Sequence, residues 1–198
     1  MKKYAGYEAK KSEAAGAALP AGGYVAKILG AEVKEYEWGD VLVISFDIAE
    51  GEHKGFFANR WKSDENSDFE RKWKGVFRLN IPSDKSRYPD SDKRSFNNCM
   101  WAVESSNKGY TWGWDESTLK NKMIGVLFRN REWEMNGNTG WTTECCSVTS
   151  VGDIREGTFY TPKDKPLKKS ASAAPAAKSP AETAKEVADI ISDDELPF

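Results

Sequence analysis

The chain has 198 residues, a formal net charge of −2 and eight Trp, all before residue 142, so one folded body followed by a tail with little to bury is expected. No apolar run approaches the ~18 residues that span a bilayer, and Met1-Lys2-Lys3-Tyr4 leads into no apolar stretch, which sets aside membrane and secretory readings. A soluble, intracellular protein is expected, with no membrane partner.

Residues 1–20 are rich in Ala, Lys and Gly and read as an N-terminal arm ending at Leu19-Pro20. The body, 21–160, reads mainly as strands. Gly23 to Lys34 is a long first strand whose interior Gly30 signals a bulge or bend. The segment Tyr36-Glu37-Trp38-Gly39-Asp40 is a turn, and Val41 to Ile48 follows with Leu42, Ile44, Phe46 and Ile48 alternating toward a core. Phe56 to Lys62 is read as the third strand. Ser67-Asp68-Phe69-Glu70 is a capping-box pattern for one helical turn. Phe96, Cys99, Met100 and Val103 fall at i, i+3, i+4 and i+7, which predicts an amphipathic helix from Ser91 or Asp92 to Gly109. Residues 123–133 and 141–151 form the last two strands, joined through Asn136-Gly137-Asn138, a strong hairpin signal. Residues 161–185, with their Lys, Ser, Ala and Pro, read as a disordered linker. Ser179-Pro180-Ala181-Glu182 caps a short helix too weak to persist alone, and 186–198 is an acidic tip. Three strands, a helix-bearing insert and a closing hairpin match the element order of the OB-fold, a five-stranded Greek-key barrel. A small β-sandwich gives similar signals.

Charge is segregated along the chain. Residues 54–94 carry eleven Lys or Arg against seven acids, residues 120–133 four against one, and residues 186–195 five acids and no base. Such blocks suit a body with one face toward a polyanion. Cys99, Cys145 and Cys146 are odd in number and two are adjacent; neighbours on a strand face opposite ways, so a shared metal is not expected. With His53 the lone histidine, no Cys–His or Ser–His pairing for catalysis is visible either. No enzyme activity and no cofactor are expected.

Aromatic and cationic side chains interleave at four places. Period two puts Leu127, Arg129, Arg131 and Trp133 on one face of the fourth strand, two guanidiniums beside an indole. Arg60-Trp61-Lys62 and Lys72-Trp73-Lys74 each bracket an indole with cations, and Phe77 and Arg78 extend the second. Tyr36 and Trp38 lie in the first loop, while Trp133 and Trp141 flank the last, and these loops frame the groove of an OB-fold. Cations neutralise phosphates and flat rings stack on bases, at ~1–3 kcal/mol per base regardless of sequence. Single-stranded nucleic acid is the ligand this pattern fits. Trp112 and Trp114 follow the helix in a Gly-containing turn and fit equally as packing plugs.

The chain ends Asp193-Asp194-Glu195-Leu196-Pro197-Phe198, beyond a linker with no core to join. It reads as a portable ligand: Phe198 for an apolar pocket, its carboxylate for Arg or Lys, the acids for a basic rim. This ending resembles the acidic tip of bacterial single-stranded-DNA-binding proteins, typically three Asp followed by Ile-Pro-Phe. The resemblance covers six residues, with Glu195 for the third Asp and Leu196 for Ile. It implies an OB-fold that binds DNA and a tip that recruits replication, repair and recombination proteins; the relatives are often oligomers. Leu19-Pro20-Ala21-Gly22-Gly23-Tyr24 and Leu119-Lys120-Asn121-Lys122 look like proteins of bacteriophages and prophages of Gram-positive hosts, which implies a strand-annealing recombinase among the partners. A protein adaptor and a sugar-binding β-module are the rival readings.

Overall fold

The computed structural model describes residues 18–64 and 71–167. The elements run β1 (Gly22–Tyr36), β2 (Gly39–Ile48), α1 (Phe56–Ser63), β3 (Val76–Asn80), α2 (Pro89–Ser106), a 3-10 turn (Glu116–Leu119), β4 (Met123–Met135), β5 (Asn138–Thr149) and α3 (Val151–Glu156). The five strands form one antiparallel sheet in the order β3-β2-β1-β4-β5. The protein is thus mainly β with a few helices, and the expected helix-bearing insert lies between β3 and β4.

Strand β1 organises the sheet because it pairs twice. Its first half, from Gly22 to Lys27, pairs with β4, and Ala26 to Tyr36 pairs with β2. The register shifts between Ile28 and Gly30, which leaves Leu29 as the extra residue of a bulge. At that bend the Ile28 N–H and C=O bond to Lys122 and Asn121 at 2.8 and 2.9 Å, so the polar backbone stays satisfied. Among the described residues no ladder joins β3 to β5, yet residues of these two edges come within 8 Å, Cα to Cα. The sheet is therefore strongly curved, with its free edges facing each other.

The expected third strand is the clearest correction. Residues 56–63 are the helix α1, and the third strand is Val76–Asn80. Phe57 and Trp61 are four apart, a spacing that satisfies period 2 and period 3.6 alike. The decision comes from β2. Asp47 accepts hydrogen bonds from the Phe57 and Ala58 N–H groups at 2.9 and 3.1 Å, capping a helix whose own N-cap, Gly55, has no side chain to do so. Gly55 stands at φ 73°, which turns the chain into the helix.

The other elements follow local signals. Phe96, Cys99, Met100 and Val103 of α2 are buried against Ile28, Ile44, Phe46 and Ile124. Pro89 begins the helix, and Asn107 ends it by donating to Val103 O at 2.7 Å and Met123 O at 2.8 Å. Asn136 and Gly137, at φ 52° and 77°, make the tight β4–β5 turn. Strand β5 stops at Thr149, two residues before the expected end. Ser150 and Asp153 form a capping box that starts α3 there.

Two terminal expectations meet the described residues in part. Leu19, assigned to the arm, is buried at 2% exposure in the core. Residues 161–167, assigned to the linker, run along β4: Lys165 donates to Asn130 O at 2.8 Å and accepts from the Glu132 N–H at 2.9 Å. They cover the part of the β4 edge that β1 leaves unpaired. The remaining arm, the Ser67–Glu70 capping box, the Ser179 helix and the tip lie outside the described residues.

Candidate nucleic-acid interface

A groove of about 520 Å³ lies between the facing edges β3 and β5, walled also by α1 and β4. Its floor is aromatic. Phe46, fully buried, meets Phe57 and Phe128 edge-on with ring centroids 5.7 and 6.2 Å away, and Phe57 and Phe128 stack at 6.3 Å. Each such pair contributes ~0.5–1.5 kcal/mol beyond area burial, so the floor is stiff. Phe56 from α1 and Phe77 from β3 line the groove at partial exposure, with rings not wholly consumed by the core.

The walls are basic. Arg60, Lys74, Arg78, Arg129 and Arg131 line the groove with a single carboxylate, Glu144. The two basic blocks of the sequence, 54–94 and 120–133, thereby converge on one cleft. Arg129 donates to Glu144 Oε1 from Nε at 3.0 Å and Nη2 at 2.7 Å, and Arg131 Nη1 reaches Oε2 at 3.4 Å. Lys165 Nζ stands 3.9 Å from the same carboxylate. None of Arg60, Lys74 and Arg78 has an ion-pair partner among the described residues. Five cations against one carboxylate give the groove lining an excess of positive charge.

Of the aromatic and cationic residues the sequence singled out, Arg60, Lys74, Phe77, Arg78, Arg129 and Arg131 line this groove, and the others do not. Trp61 and Trp73 pack on each other at 6.1 Å, with the Arg71 guanidinium 4.8 Å over the Trp61 ring. The Trp73 indole N–H donates to Phe46 O at 3.1 Å and Gly75 O at 3.0 Å, which ties its ring to the sheet. Lys62 and Lys72 are exposed beside them. The two cation-indole-cation triplets are thus divided: the groove takes Arg60 and Lys74, and the indoles brace α1.

On the β4–β5 hairpin, Trp133 pairs with Gly140 and shares a face with Arg131 and Arg129. Its ring lies so close over Gly140 that a Cβ there would sit 2.8 Å from Cζ2. Trp141 pairs with Glu132, which puts it on the opposite face from Trp133. Tyr36 and Trp38 stack at 5.0 Å and 12° at the β1–β2 turn, and Trp38 remains 56% exposed. Trp112 packs against the core, and Trp114 covers Phe96 at 5.6 Å.

Sequence reasoning missed Phe56, the Thr142–Thr143 stretch and Lys165. The first was assigned to a strand, and the others had no aromatic-cation pattern to mark them. The register also shifts between Leu127 and Phe128, making Cys146 the extra residue of a β5 bulge, so Cys145 and Cys146 both line the groove. Strict alternation therefore does not separate them. Burial pushes the Cys99 thiol up to about 12 and Cys145 well above its ordinary value, so neither is a thiolate at neutral pH. Among the described residues no three His, Cys, Asp or Glu side chains group to hold a metal, and no helix is long and apolar enough to cross a membrane.

No protein-family model matches the chain, and no curated protein matches it either.

Proposed function

We propose that the body binds single-stranded DNA along the β3–β5 groove, without reading sequence, and that the C-terminal tip recruits partner proteins. The observation that carries this reading is the convergence of five cations and the Phe56 and Phe77 rings on one cleft between two sheet edges. Duplex DNA hides its base faces, so partly exposed rings inside a basic cleft favour an unpaired strand. Phosphates meet Arg60, Lys74, Arg78, Arg129 and Arg131, while bases stack on Phe77 and Phe56.

The strand order and the double pairing of β1 support an OB-type barrel opened between β3 and β5. The groove of such a barrel takes ~4–16 nucleotides. The tip, from Asp193 to Phe198, supports a role in phage DNA replication or recombination through its likeness to bacterial single-stranded-DNA-binding proteins. Its partners in that reading are replication and recombination proteins, a strand-annealing recombinase among them.

The test is fluorescence anisotropy of labelled oligo-dT titrated with the full chain at low and high salt, with duplex competitor. Saturable binding that weakens steeply with salt and resists duplex is expected. No binding at low salt overturns the proposal. Deleting residues 193–198 is expected to leave oligo-dT binding intact while removing partner capture.

A further inference from the structure

We propose that the chain's own N-terminal arm, residues 1–17, docks along the back face of the β4–β5 hairpin, the face turned away from Arg129, Arg131 and Trp133. The proposal does not depend on the single-stranded-DNA reading. Beyond Phe128, β4 no longer pairs with β1. From there the hairpin's hydrogen bonds run, among the described residues, within its own ladder and to residues 164–167. A two-stranded ribbon is marginally stable in water by itself, so a segment that covers one of its faces adds stability to it.

The two faces of the hairpin differ in charge. Alternation places Arg129, Arg131 and Trp133 on one face and Glu132, Glu134 and Trp141 on the other. Among the described residues of the hairpin, the second face holds no Lys or Arg. Asp164 adds a third carboxylate there, where it accepts from Asn130 Nδ2 at 3.0 Å. Glu134 has no ion-pair partner among the described residues. Beside these acids Trp141 pairs with Glu132 and stays 54% exposed. Nucleic acid is repelled from such a face. An exposed indole among carboxylates fits a lysine-bearing segment, because the ammonium pairs with the acids or lies over the ring and the stem packs on it.

The arm has that chemistry, and it starts close by. Residues 1–17 carry Lys2, Lys3, Lys10 and Lys11 against Glu8 and Glu13, with Tyr4 and Tyr7 between them. Strands β1 and β4 are antiparallel with Gly22 opposite Phe128, so the chain before Gly22 heads toward the part of β4 beyond Phe128. Ala18, where the described chain begins, lines the groove together with Thr143. Trp141 lies two strand residues from Thr143 on the same face, about 7 Å away. Lys11, seven residues before Ala18, reaches up to ~25 Å from it, enough for Trp141 and Glu134 alike. Attachment through so few residues gives the arm an effective concentration in about the mM range. A separate basic partner or a second copy has to bind the same face at its own, lower concentration.

The test is hydrogen exchange of the full chain, read by mass spectrometry over residues 130–143 with α2 as internal reference. Lys10→Glu/Lys11→Glu is expected to speed exchange of the hairpin amides by about 2- to 10-fold, the effect of losing exposed ion pairs, with α2 unchanged. Glu134→Lys alone gives a similar acceleration. The triple variant, with the charges swapped across the contact, returns toward wild type. Equal hairpin exchange in wild type and Lys10→Glu/Lys11→Glu overturns the docking. Acceleration that spreads to α2, or that Glu134→Lys does not reverse, also overturns it, because the lysines then act elsewhere. Wild-type protection that rises with protein concentration overturns the assignment to the chain's own arm, because a second copy then supplies the contact.

Discussion

Arg129 donates twice to one oxygen of Glu144, from Nε at 3.0 Å and from Nη2 at 2.7 Å. Arg131 and Lys165 approach the same carboxylate at 3.4 and 3.9 Å, so Glu144 gathers three cations across the hairpin and the β4 edge. A strand entering the groove competes with Glu144 for these cations. Glu144→Gln keeps the shape and an acceptor but removes the competing charge. Its affinity for oligo-dT at low salt is expected to rise about 2- to 10-fold, since pairs of this exposure contribute ~0.2–1 kcal/mol each. A fall in affinity would show that Glu144 serves to position Arg129 instead.

The same geometry predicts how salt dependence responds. Each phosphate contact on a single strand adds about 0.7 to the slope of log affinity against log salt. Replacing both Arg129 and Arg131 by Ala is expected to flatten that slope by about 1.4 while leaving the protein folded by circular dichroism. An unchanged slope would place the phosphates elsewhere.

Asp47 couples β2 to the groove through α1. Its carboxylate takes the N–H groups of Ile48, Phe57 and Ala58 at 2.8, 2.9 and 3.1 Å. Asp47→Ala is expected to cost about 1–2 kcal/mol in urea unfolding, the range for a lost helix cap. Because α1 carries Arg60 and Phe56, oligo-dT affinity should fall as well. Asp47→Asn retains an acceptor and should recover part of both losses.

Gly75 has no room for a side chain. A Cβ there would sit 2.3 Å from Phe46 O and 2.8 Å from the Phe57 ring. Gly75→Ala must displace either β2 or the aromatic floor, with an expected loss of about 1–3 kcal/mol on thermal or urea unfolding. Gly30→Ala, where nothing lies within 4 Å, serves as the tolerated control.

Acid should unfasten α3 first. The Thr149 hydroxyl, followed by Ser150, holds the Asp153 carboxyl below its ordinary value of 3.8. A carboxyl depressed in the folded state adds stability above its unfolded value, and that stability is lost as pH falls through the folded one. Wild type should therefore lose melting temperature below about pH 4 more steeply than Asp153→Asn. Parallel curves for the two proteins would contradict this role.

The features legible in the sequence were those that neighbouring residues decide among themselves. Asn136-Gly137 makes its hairpin turn because those two residues accept positive φ, at 52° and 77°. Gly30 marks the β1 bulge, and the 96-99-100-103 spacing puts one face of α2 into the core. The α3 capping box at Ser150 and Asp153 was missed, with 141–151 read as one strand, because so short a helix has no periodicity to announce it.

The groove was legible only as ingredients. Arg60, Lys74, Arg78, Arg129 and Arg131 stand out in the sequence as cations beside aromatics, and nothing local says that they meet. Likewise, nothing beside Trp61 or Trp73 reveals that the two rings pack together and that Trp73 commits its N–H to the sheet. Phe56 to Lys62 reads as a strand until Asp47, ten residues upstream of Phe57, supplies the cap that makes it a helix. Turns, bulges and amphipathic faces follow from the sequence because backbone sterics and side-chain period act over a few residues. The groove that brings those five cations together was decided by tertiary structure, because it depends on contacts between residues far apart in the chain.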